Sequence, residues 1–162
     1  MAQMDIITTE LYAPGKLFVL GEWAVLEGAP AVLIPAPGGQ RGSVSYGPGD
    51  RGMEYHCSAF RGGGKIDVVG ATEQVCRERF GELEGRLRLV VQPERLDHEG
   101  TKLGFGSSAS AAALVAHAWA WACGCDDRDL IRDVAMRGHW DAQAGRGSGA
   151  DVALSVAFTG RP

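Results

Sequence analysis

The chain has 162 residues and a mass of 17.1 kDa, which is enough for one domain with a buried core. Its net charge of -4 and isoelectric point near 5.5 argue against a nucleic-acid-binding or anionic-membrane-binding surface. No apolar run reaches the length of a membrane span, and residues 1–9 lack a basic segment followed by an apolar core, so we expect a cytoplasmic protein with no nucleic-acid and no membrane partner.

Residues 1–50 are predicted to be mainly strand. A β-prone stretch covers residues 6–12, proline and glycine interrupt it at residues 13–15, and residues 16–20 resume an apolar strand. The continuous apolar run over residues 31–35 predicts a buried strand, and Gly38-Gly39 predicts a turn after it.

The next segment is predicted to hold a hairpin, a helix and a strand. Residues 42–46 and 53–60 are expected to pair antiparallel, because Gly47-Pro-Gly-Asp50 between them is a turn sequence. Helical spacing over residues 72–83 predicts a helix with Thr72 as its cap. Alternating arginine and aliphatic residues over 86–92 predict a half-exposed strand.

The last third is predicted to be mainly helical. An alanine-dense segment runs from Ser107 with no helix breaker before Gly124. A second helix is expected from a cap at Asp126 or Asp127 to about Gln143. Because strands come first and long helices later, we predict an α+β layer fold, with an antiparallel or mixed sheet packed on helices.

A glycine-rich turn leads directly into the alanine-dense helix. Gly104 and Gly106 allow a backbone without side chains, and Ser107 and Ser108 fall where the helix begins and can cap it. The unpaired N–H groups of a first helical turn, with the positive end of the helix dipole, form an anion site. The turn is therefore interpreted as a phosphate cradle, and a capped, alanine-rich core helix is the alternative.

Two familiar phosphate motifs do not account for this turn. The Walker A pattern is absent, because Gly64-Lys65 is followed by Ile66 instead of a hydroxyl residue. The Rossmann pattern G-x-G-x-x-A is matched at residues 104–109, but that fingerprint needs a strand ending at its first glycine, and the nearest predicted strand ends well upstream.

Three sequence blocks, in this order, resemble the GHMP small-molecule kinases. They are residues 14–25 (Pro-Gly-Lys-Leu-Phe-Val-Leu-Gly-Glu-Trp-Ala-Val), residues 102–109 (Lys-Leu-Gly-Phe-Gly-Ser-Ser-Ala) and residues 147–153 (Gly-Ser-Gly-Ala-Asp-Val-Ala). The resemblance implies an ATP-dependent, magnesium-dependent kinase whose partner is a small-molecule phosphoryl acceptor. It also implies that residues 1–162 form the N-terminal ATP-binding domain of that family.

Within this family the chain looks most like the phosphomevalonate kinases, in residues 13–16, 21–28 and 143–153 and in Lys102 just before the glycine-rich turn. This likeness implies transfer of a phosphoryl group from ATP to 5-phosphomevalonate in isoprenoid precursor synthesis. Two other functions stay open: a kinase for a hydroxyl acceptor such as mevalonate or a sugar, and a non-catalytic nucleotide-binding remnant.

The resemblance assigns roles to particular residues. The expected nucleotide-binding set shares the second block and consists of Lys102, Gly104, Gly106, Ser107, Ser108 and Ala109, with Ser108 near the magnesium and Ser107 on phosphate oxygens. Lys16 and Asp151 are expected to be catalytic and to face each other across the acceptor. The expected acceptor-binding set is Lys16, Arg146, Ser148, Gly149 and Asp151.

Several of these residues have a second interpretation. Asp151 serves as a base for a hydroxyl acceptor, but a phosphate acceptor with a second pKa of about 6 is already mostly ionised, so Asp151 would then orient the acceptor or hold Lys16. Asp151 could also be only a helix cap. Lys16, Lys102 and Arg146 could be solvated charges instead of ligand contacts.

The chain departs from the family in several respects, among them Trp23 in place of the usual His or Tyr and Phe105 in place of the usual Leu. Mevalonate kinases carry a magnesium-binding glutamate at the position of Trp140, with Asp141 beside it here, while His117 and His139 are expected to be structural. Chains of the family also continue into a second domain with another glycine-rich motif. We expect that C-terminal domain to be absent from this chain, as a fragment or a natural half-kinase, and a homo-oligomer stays open.

Overall fold

The computed structural model describes residues 5–57, 67–94, 97–98, 101–102 and 106–160, with the backbone alone at residues 67, 97–98 and 101–102. Its strands are β1 (Ile7–Leu20), β2 (Val32–Gly47), β3 (Gly52–Cys57), β4 (Arg86–Pro93), β5 (Asp97–His98) and β6 (Thr101–Lys102). Its α-helices are α1 (Asp67–Phe80), α2 (Ser107–Ala122), α3 (Arg128–Ala142) and α4 (Ala150–Phe158), and a short 3-10 helix spans Ala24–Glu27.

A four-stranded mixed sheet in the order β1-β2-β4-β3 packs against the helices, which confirms the predicted α+β layer fold. Neighbouring strands are antiparallel except β3 and β4, which are parallel. β5 and β6 form a separate antiparallel pair just ahead of α2. As predicted, β4 alternates, and its inward-facing Leu87, Leu89 and Val91 are fully buried.

The predicted hairpin between residues 42–46 and 53–60 is wrong. β4 lies between β2 and β3, so β2 pairs with β4 and β3 pairs with the other edge of β4. The glycine-rich segment after β2 therefore leads to a distant edge position instead of a two-strand turn. Residues 58–60 of the predicted strand lie outside the described residues.

β1 and β2 are longer than predicted because their irregular segments face each other. The register shifts between Ala13 and Gly15, where three residues of β2 lie opposite Pro14. Gly39 lies directly against the Ala13 carbonyl, so a side chain there would collide with the backbone of β1. The predicted break at residues 13–15 and the predicted turn at Gly38-Gly39 are thus a paired bulge within two continuous strands.

The far halves of β1 and β2 form a two-stranded arm beyond the rest of the sheet. β4 pairs with β2 only from Gln40 onward, so the outer residues of β1 and β2 pair with each other alone. Val32 and Ile34 are 50% and 44% exposed, and the expected burial of residues 31–35 is wrong. A continuous apolar run did not distinguish a core strand from an exposed apolar arm.

α2 is the central helix and is buried on almost every face. It contacts α1, α3, α4 and three strands of the sheet. Its alanines let these elements approach closely, and Trp119 is fully buried while its Nε1 donates to the Gly81 carbonyl at 3.2 Å. Asp127 caps α3, as predicted, because its carboxylate accepts from the N–H groups of Asp129 and Leu130.

α1 begins earlier than the sequence suggested. Thr72 lies inside the helix instead of capping it, and its Oγ1 donates to the Val68 carbonyl at 2.7 Å. Threonine at the start of a helical pattern favours a cap, but within a helix its hydroxyl can also bond the carbonyl four residues back. None of the helices within the described ranges is long and apolar enough to cross a membrane.

Candidate functional site

The glycine-rich turn and α2 form an uncapped helix N-terminus. Gly106 is the N-cap residue, with φ 83° and ψ 41°, and no side chain among the described residues caps the helix. Ser107 and Ser108 are already inside the first turn, so the expectation that they cap α2 is wrong. A helix N-terminus with glycine at its cap and no side-chain cap is the kind of helix end that suits an anion.

Lys16 of β1 brings a positive charge to this helix end. A Cβ atom built on Gly106 would lie 3.0 Å from Lys16 Cγ and 3.2 Å from Lys16 Cε, so the lysine stem runs along the bare glycine backbone. The Lys16 Nζ lies 4.5 Å from the centroid of the Phe18 ring, within cation–π distance. The positive charge of Lys16 and the positive end of the α2 dipole therefore lie close together.

Of the remaining members of the predicted nucleotide-binding set, the structure describes Ala109 fully and Lys102 by its backbone alone. Ala109 is fully buried in the first turn of α2, so only its backbone could reach a ligand. Gln40 helps to fix this turn, since its Nε2 donates to the Ser107 carbonyl at 3.2 Å. Gly104 and the side chain of Lys102 lie outside the described residues.

The third sequence block opens α4 in a similar way. Gly149 is the N-cap residue of α4 at φ 72°, and Ser148 Oγ accepts from the Ala150 N–H at 3.3 Å. Asp151 lies in the first turn, with its Oδ1 accepting from the Val152 N–H at 2.9 Å. The alternative that Asp151 is the N-cap of this helix is therefore wrong, because Gly149 holds that position.

A cavity of about 220 Å³ lies between the two-stranded arm of β1 and β2 and the glycine-rich segment that leads into α4. Its apolar wall comes from the arm and the 3-10 helix that follows it: Phe18, Trp23 and Leu26, with Glu22 beside them. Its polar wall comes from α3, the glycine-rich loop and α4: His139, Gln143, Gly147, Ser148, Gly149 and Asp151. Three of the predicted acceptor-binding residues, Ser148, Gly149 and Asp151, thus line one cavity.

The other two predicted acceptor-binding residues, Lys16 and Arg146, are not part of this lining. Arg146 is exposed, and it does not line the cavity. Lys16 is adjacent, because the Phe18 ring beneath its ammonium is itself part of the cavity wall. That Lys16 and Asp151 face each other across an acceptor stays a prediction.

His139 is the residue of this site that the sequence analysis missed. Its side chain is buried, lines the cavity, and places Nε2 3.1 Å from Ser108 Oγ and 3.2 Å from Gln143 Nε2. It therefore connects the first turn of α2 with the loop that follows α3. The available signal was the spacing of four between His139 and Gln143, which puts both on one face of a helix ending at a glycine block.

The surroundings of His139 lower its pKa. Burial lowers the pKa of His139, because the charged imidazolium loses its hydration, and the nearby negative charge of Asp151 partly opposes this effect. A neutral imidazole has one nitrogen that can accept a hydrogen bond and one that donates.

Oxygen ligands that suit Mg²⁺ are present at this site, although they are few. The described residues contain no group of three or more His, Cys, Asp or Glu that could hold a metal ion. Trp140, which stands where the resemblance puts the glutamate of mevalonate kinases, is 44% exposed, and Asp141 pairs with Arg137 at 2.9 Å. The hydroxyl of Ser108 and the carboxylates of Asp151 and Glu22 are hard oxygen donors of the kind that Mg²⁺ takes alongside water and phosphate.

Solved structures resemble this chain, although no protein-family model and no curated protein sequence matches it. A Lin0012 protein from Listeria innocua matches at 24% identity and a TM-score of 0.76, over 93% of this chain and 46% of that one. Streptococcus pneumoniae phosphomevalonate kinase, in complex with phosphomevalonate and AMPPNP, matches at 22% identity and a TM-score of 0.69, over 93% and 47%. Lactococcus lactis galactokinase, complexed with galactose, matches at 13% identity and a TM-score of 0.75, over 91% and 41%.

These similarities establish the fold. The chain has the α+β architecture of the N-terminal domain of GHMP kinases, as the three sequence blocks implied. The chain spans less than half the length of each of these three proteins: the matched region is 46%, 47% and 41% of their chains.

Proposed function

We propose that this chain is the N-terminal ATP-binding domain of a GHMP-type kinase that transfers a phosphoryl group to a small metabolite, 5-phosphomevalonate in the first instance. The observation that carries the proposal is a single contact. Ser108, in the first turn of the uncapped helix α2, touches His139, which lines the cavity that also contains Asp151. The helix end proposed to bind phosphate and the cavity proposed to hold the acceptor are therefore neighbours.

The residues at this contact suit phosphoryl transfer, which depends mainly on positioning and charge stabilisation. The N–H groups of the first turn of α2 would hold the ATP phosphates, with the Lys16 ammonium beside them. Ser108 would hold Mg²⁺, which when bound neutralises phosphate charge. Asp151 would orient the acceptor, since a phosphomonoester acceptor needs no base to ionise it.

Phosphomevalonate is the favoured acceptor because of the residue pattern in the two blocks that build the cavity. Residues 21–28 and 143–153 are those in which the chain looks most like the phosphomevalonate kinases. A phosphomevalonate kinase with phosphomevalonate in its complex is also among the structures of similar fold.

A hydroxyl acceptor is the second candidate, and one feature of the cavity favours it. The described lining residues include two carboxylates, Glu22 and Asp151, and no lysine or arginine. Such a lining suits a neutral, hydroxyl-bearing acceptor, for which Asp151 would act as the base.

The test is an acceptor screen with the full-length natural gene product. The enzyme is given ATP, Mg²⁺ and one acceptor at a time: 5-phosphomevalonate, mevalonate or galactose. ADP release measures turnover, and phosphorus NMR of the product distinguishes a new diphosphate from a new phosphomonoester. We expect a diphosphate from 5-phosphomevalonate. A monoester formed from mevalonate or galactose alone would favour the second candidate.

A further inference from the structure

Ser108 could serve a nucleotide in either of two ways. Its hydroxyl could donate to a phosphate oxygen, or its oxygen lone pairs could bind a cation. Which of these is available depends on where the hydroxyl proton points. The hydrogen-bond partners of Ser108 therefore decide its role.

Gln143 determines the hydrogen-bonding state of His139. The amide nitrogen of Gln143 lies 3.2 Å from His139 Nε2, and an amide nitrogen can only donate. With the amide nitrogen on that side, Nε2 is the unprotonated, accepting nitrogen of the ring, because two donors facing each other would repel.

His139 in turn determines the orientation of the Ser108 hydroxyl. Ser108 Oγ lies 3.1 Å from the same nitrogen, so an accepting Nε2 takes the only proton of the serine in a hydrogen bond and shares its single lone pair between Ser108 and Gln143. The oxygen then has no proton left for a phosphate, and its lone pairs are directed away from His139. His139 is only 5% exposed, so water does not compete strongly for this nitrogen.

We propose that His139 is a positioning residue that, itself oriented by Gln143, commits the Ser108 hydroxyl to act as a cation ligand instead of a phosphate donor. The inference rests on the proposed function, because it assumes that the first turn of α2 holds a nucleotide with its divalent cation. It also explains why the polar bridge crosses from α2 to the loop after α3: Gln143 ties the cation ligand to the glycine-rich segment that carries Ser148 and leads to Asp151.

The test measures binding of AMPPNP by calorimetry to the full-length gene product, with Mg²⁺ and separately with EDTA. The variants are Ser108→Ala, His139→Leu, the double variant, and His139→Gln, whose amide oxygen can accept from Ser108. His117→Asn is the matched control, since His117 is a helical histidine whose Nδ1 lies 2.8 Å from the Ala113 carbonyl of its own helix and which does not line the cavity. Thermal unfolding checks each fold, and His139→Asn replaces His139→Leu if the latter does not fold.

We expect His139→Leu and Ser108→Ala each to weaken AMPPNP binding in Mg²⁺ by roughly 10-fold or more, the range typical of residues that support a metal ligand. The double variant should be no weaker than either single variant, because both remove one interaction. His139→Gln should restore most of the affinity, and His117→Asn should leave it unchanged. With EDTA, the variants should bind like the wild type.

Three results would overturn the proposal. The first is an equal loss of AMPPNP affinity with Mg²⁺ and with EDTA, and the second is a loss in the double variant equal to the product of the two single losses. The third is unchanged AMPPNP binding by His139→Leu. A second readout separates it from the proposed function. Nitrogen-15 NMR of the His139 ring should show Nε2 without a proton, and a proton on Nε2 would contradict the inference even if nucleotide binds. An unprotonated Nε2 in a protein that binds no AMPPNP would instead refute the proposed function.

Discussion

The stem of Lys16 lies against the bare backbone of Gly106, so close that a Cβ atom on the glycine would be 3.0 Å from Lys16 Cγ. This contact gives Gly106 two separate requirements. Its φ of 83° disfavours any residue with a side chain, and its missing side chain leaves the place that Lys16 occupies. Substitutions can separate the two requirements, because other glycines of the chain meet only the first.

Gly106→Ala should therefore weaken nucleotide binding, and Gly124→Ala should not. Both glycines have positive φ, at 83° and 69°, so both substitutions should cost about 1–2 kcal/mol of unfolding free energy. Only at Gly106 would the new methyl group displace Lys16, since no atom lies within 4 Å of the equivalent position at Gly124. Urea unfolding and AMPPNP titration measure the two effects. Equal affinities in the two variants would contradict the assignment of the cradle.

Asp151→Asn should reduce turnover of 5-phosphomevalonate only moderately. A general base typically contributes on the order of 10²–10⁴-fold, and a phosphate acceptor needs no base. We expect a loss at or below the bottom of that range in kcat, with Asp141→Asn, on the exposed Arg137 pair, as the control. A loss at the top of the range, with a pH profile that titrates a single carboxylate, would instead support a hydroxyl acceptor.

Part of the candidate site could be predicted from the sequence, because two of its helix ends require glycine. Gly106 and Gly149 both have positive φ at helix N-termini, and each stands in a block that local sequence identified. His139 could not be found in that way. Its role depends on α3 packing beside α2, and a buried histidine on a helix has the same local sequence whether or not it meets a serine on the neighbouring helix.

The same division holds for the fold. The strand at β4 and the capped start of α3 follow from local patterns, alternation in one case and Asp127 in the other. The place of β4 between β2 and β3 depends on pairing across more than thirty residues, as in the match of Gly47 with Arg86. Turn residues after β2 favoured a hairpin, and burial of Leu87 and Leu89 outweighed that local preference.

The contact between α1 and α3 predicts opposite effects for two helical glycines. A Cβ atom on Gly138 of α3 would collide with the Thr72 backbone of α1, while the same atom on Gly70 of α1 has nothing within 4 Å. Gly70→Ala should stabilise the protein by up to about 1 kcal/mol, because alanine is the better helix former. Gly138→Ala should destabilise it by about 1–3 kcal/mol despite the same propensity gain. Thermal and urea unfolding decide, and a stabilising Gly138→Ala would mean that the helices do not pack this closely.

His117 should make the protein less stable in mild acid. Burial lowers the pKa of His117, the Ala113 carbonyl partly opposes this, and the charge of Arg128 adds to the lowering. The unfolded chain therefore binds a proton more readily than the folded one. The free energy of unfolding is unaffected above the ordinary pKa of about 6.5 and falls as the pH decreases through it towards the lowered value.

His117→Asn isolates this effect, because asparagine can still donate to the Ala113 carbonyl but does not titrate. Urea unfolding at about pH 7 and about pH 5 gives, for each protein, the change in unfolding free energy between the two pH values. The wild type should lose more stability than the variant over this interval. Equal losses would show that His117 is protonated as easily in the folded state as in the unfolded state.

The most direct test of the account is acceptor-dependent ADP formation by the wild type and by Lys16→Met. Methionine keeps an aliphatic chain beside Gly106 and removes only the charge. The account predicts ADP release by the wild type only when an acceptor is present. It also predicts that Lys16→Met loses about 10²–10³-fold in kcat, as expected when one charge-stabilising group is removed, while still folding like the wild type. Undiminished turnover by Lys16→Met, or no acceptor-dependent ADP from the full-length wild type with any of the three acceptors, would contradict the claim that this helix end transfers phosphate.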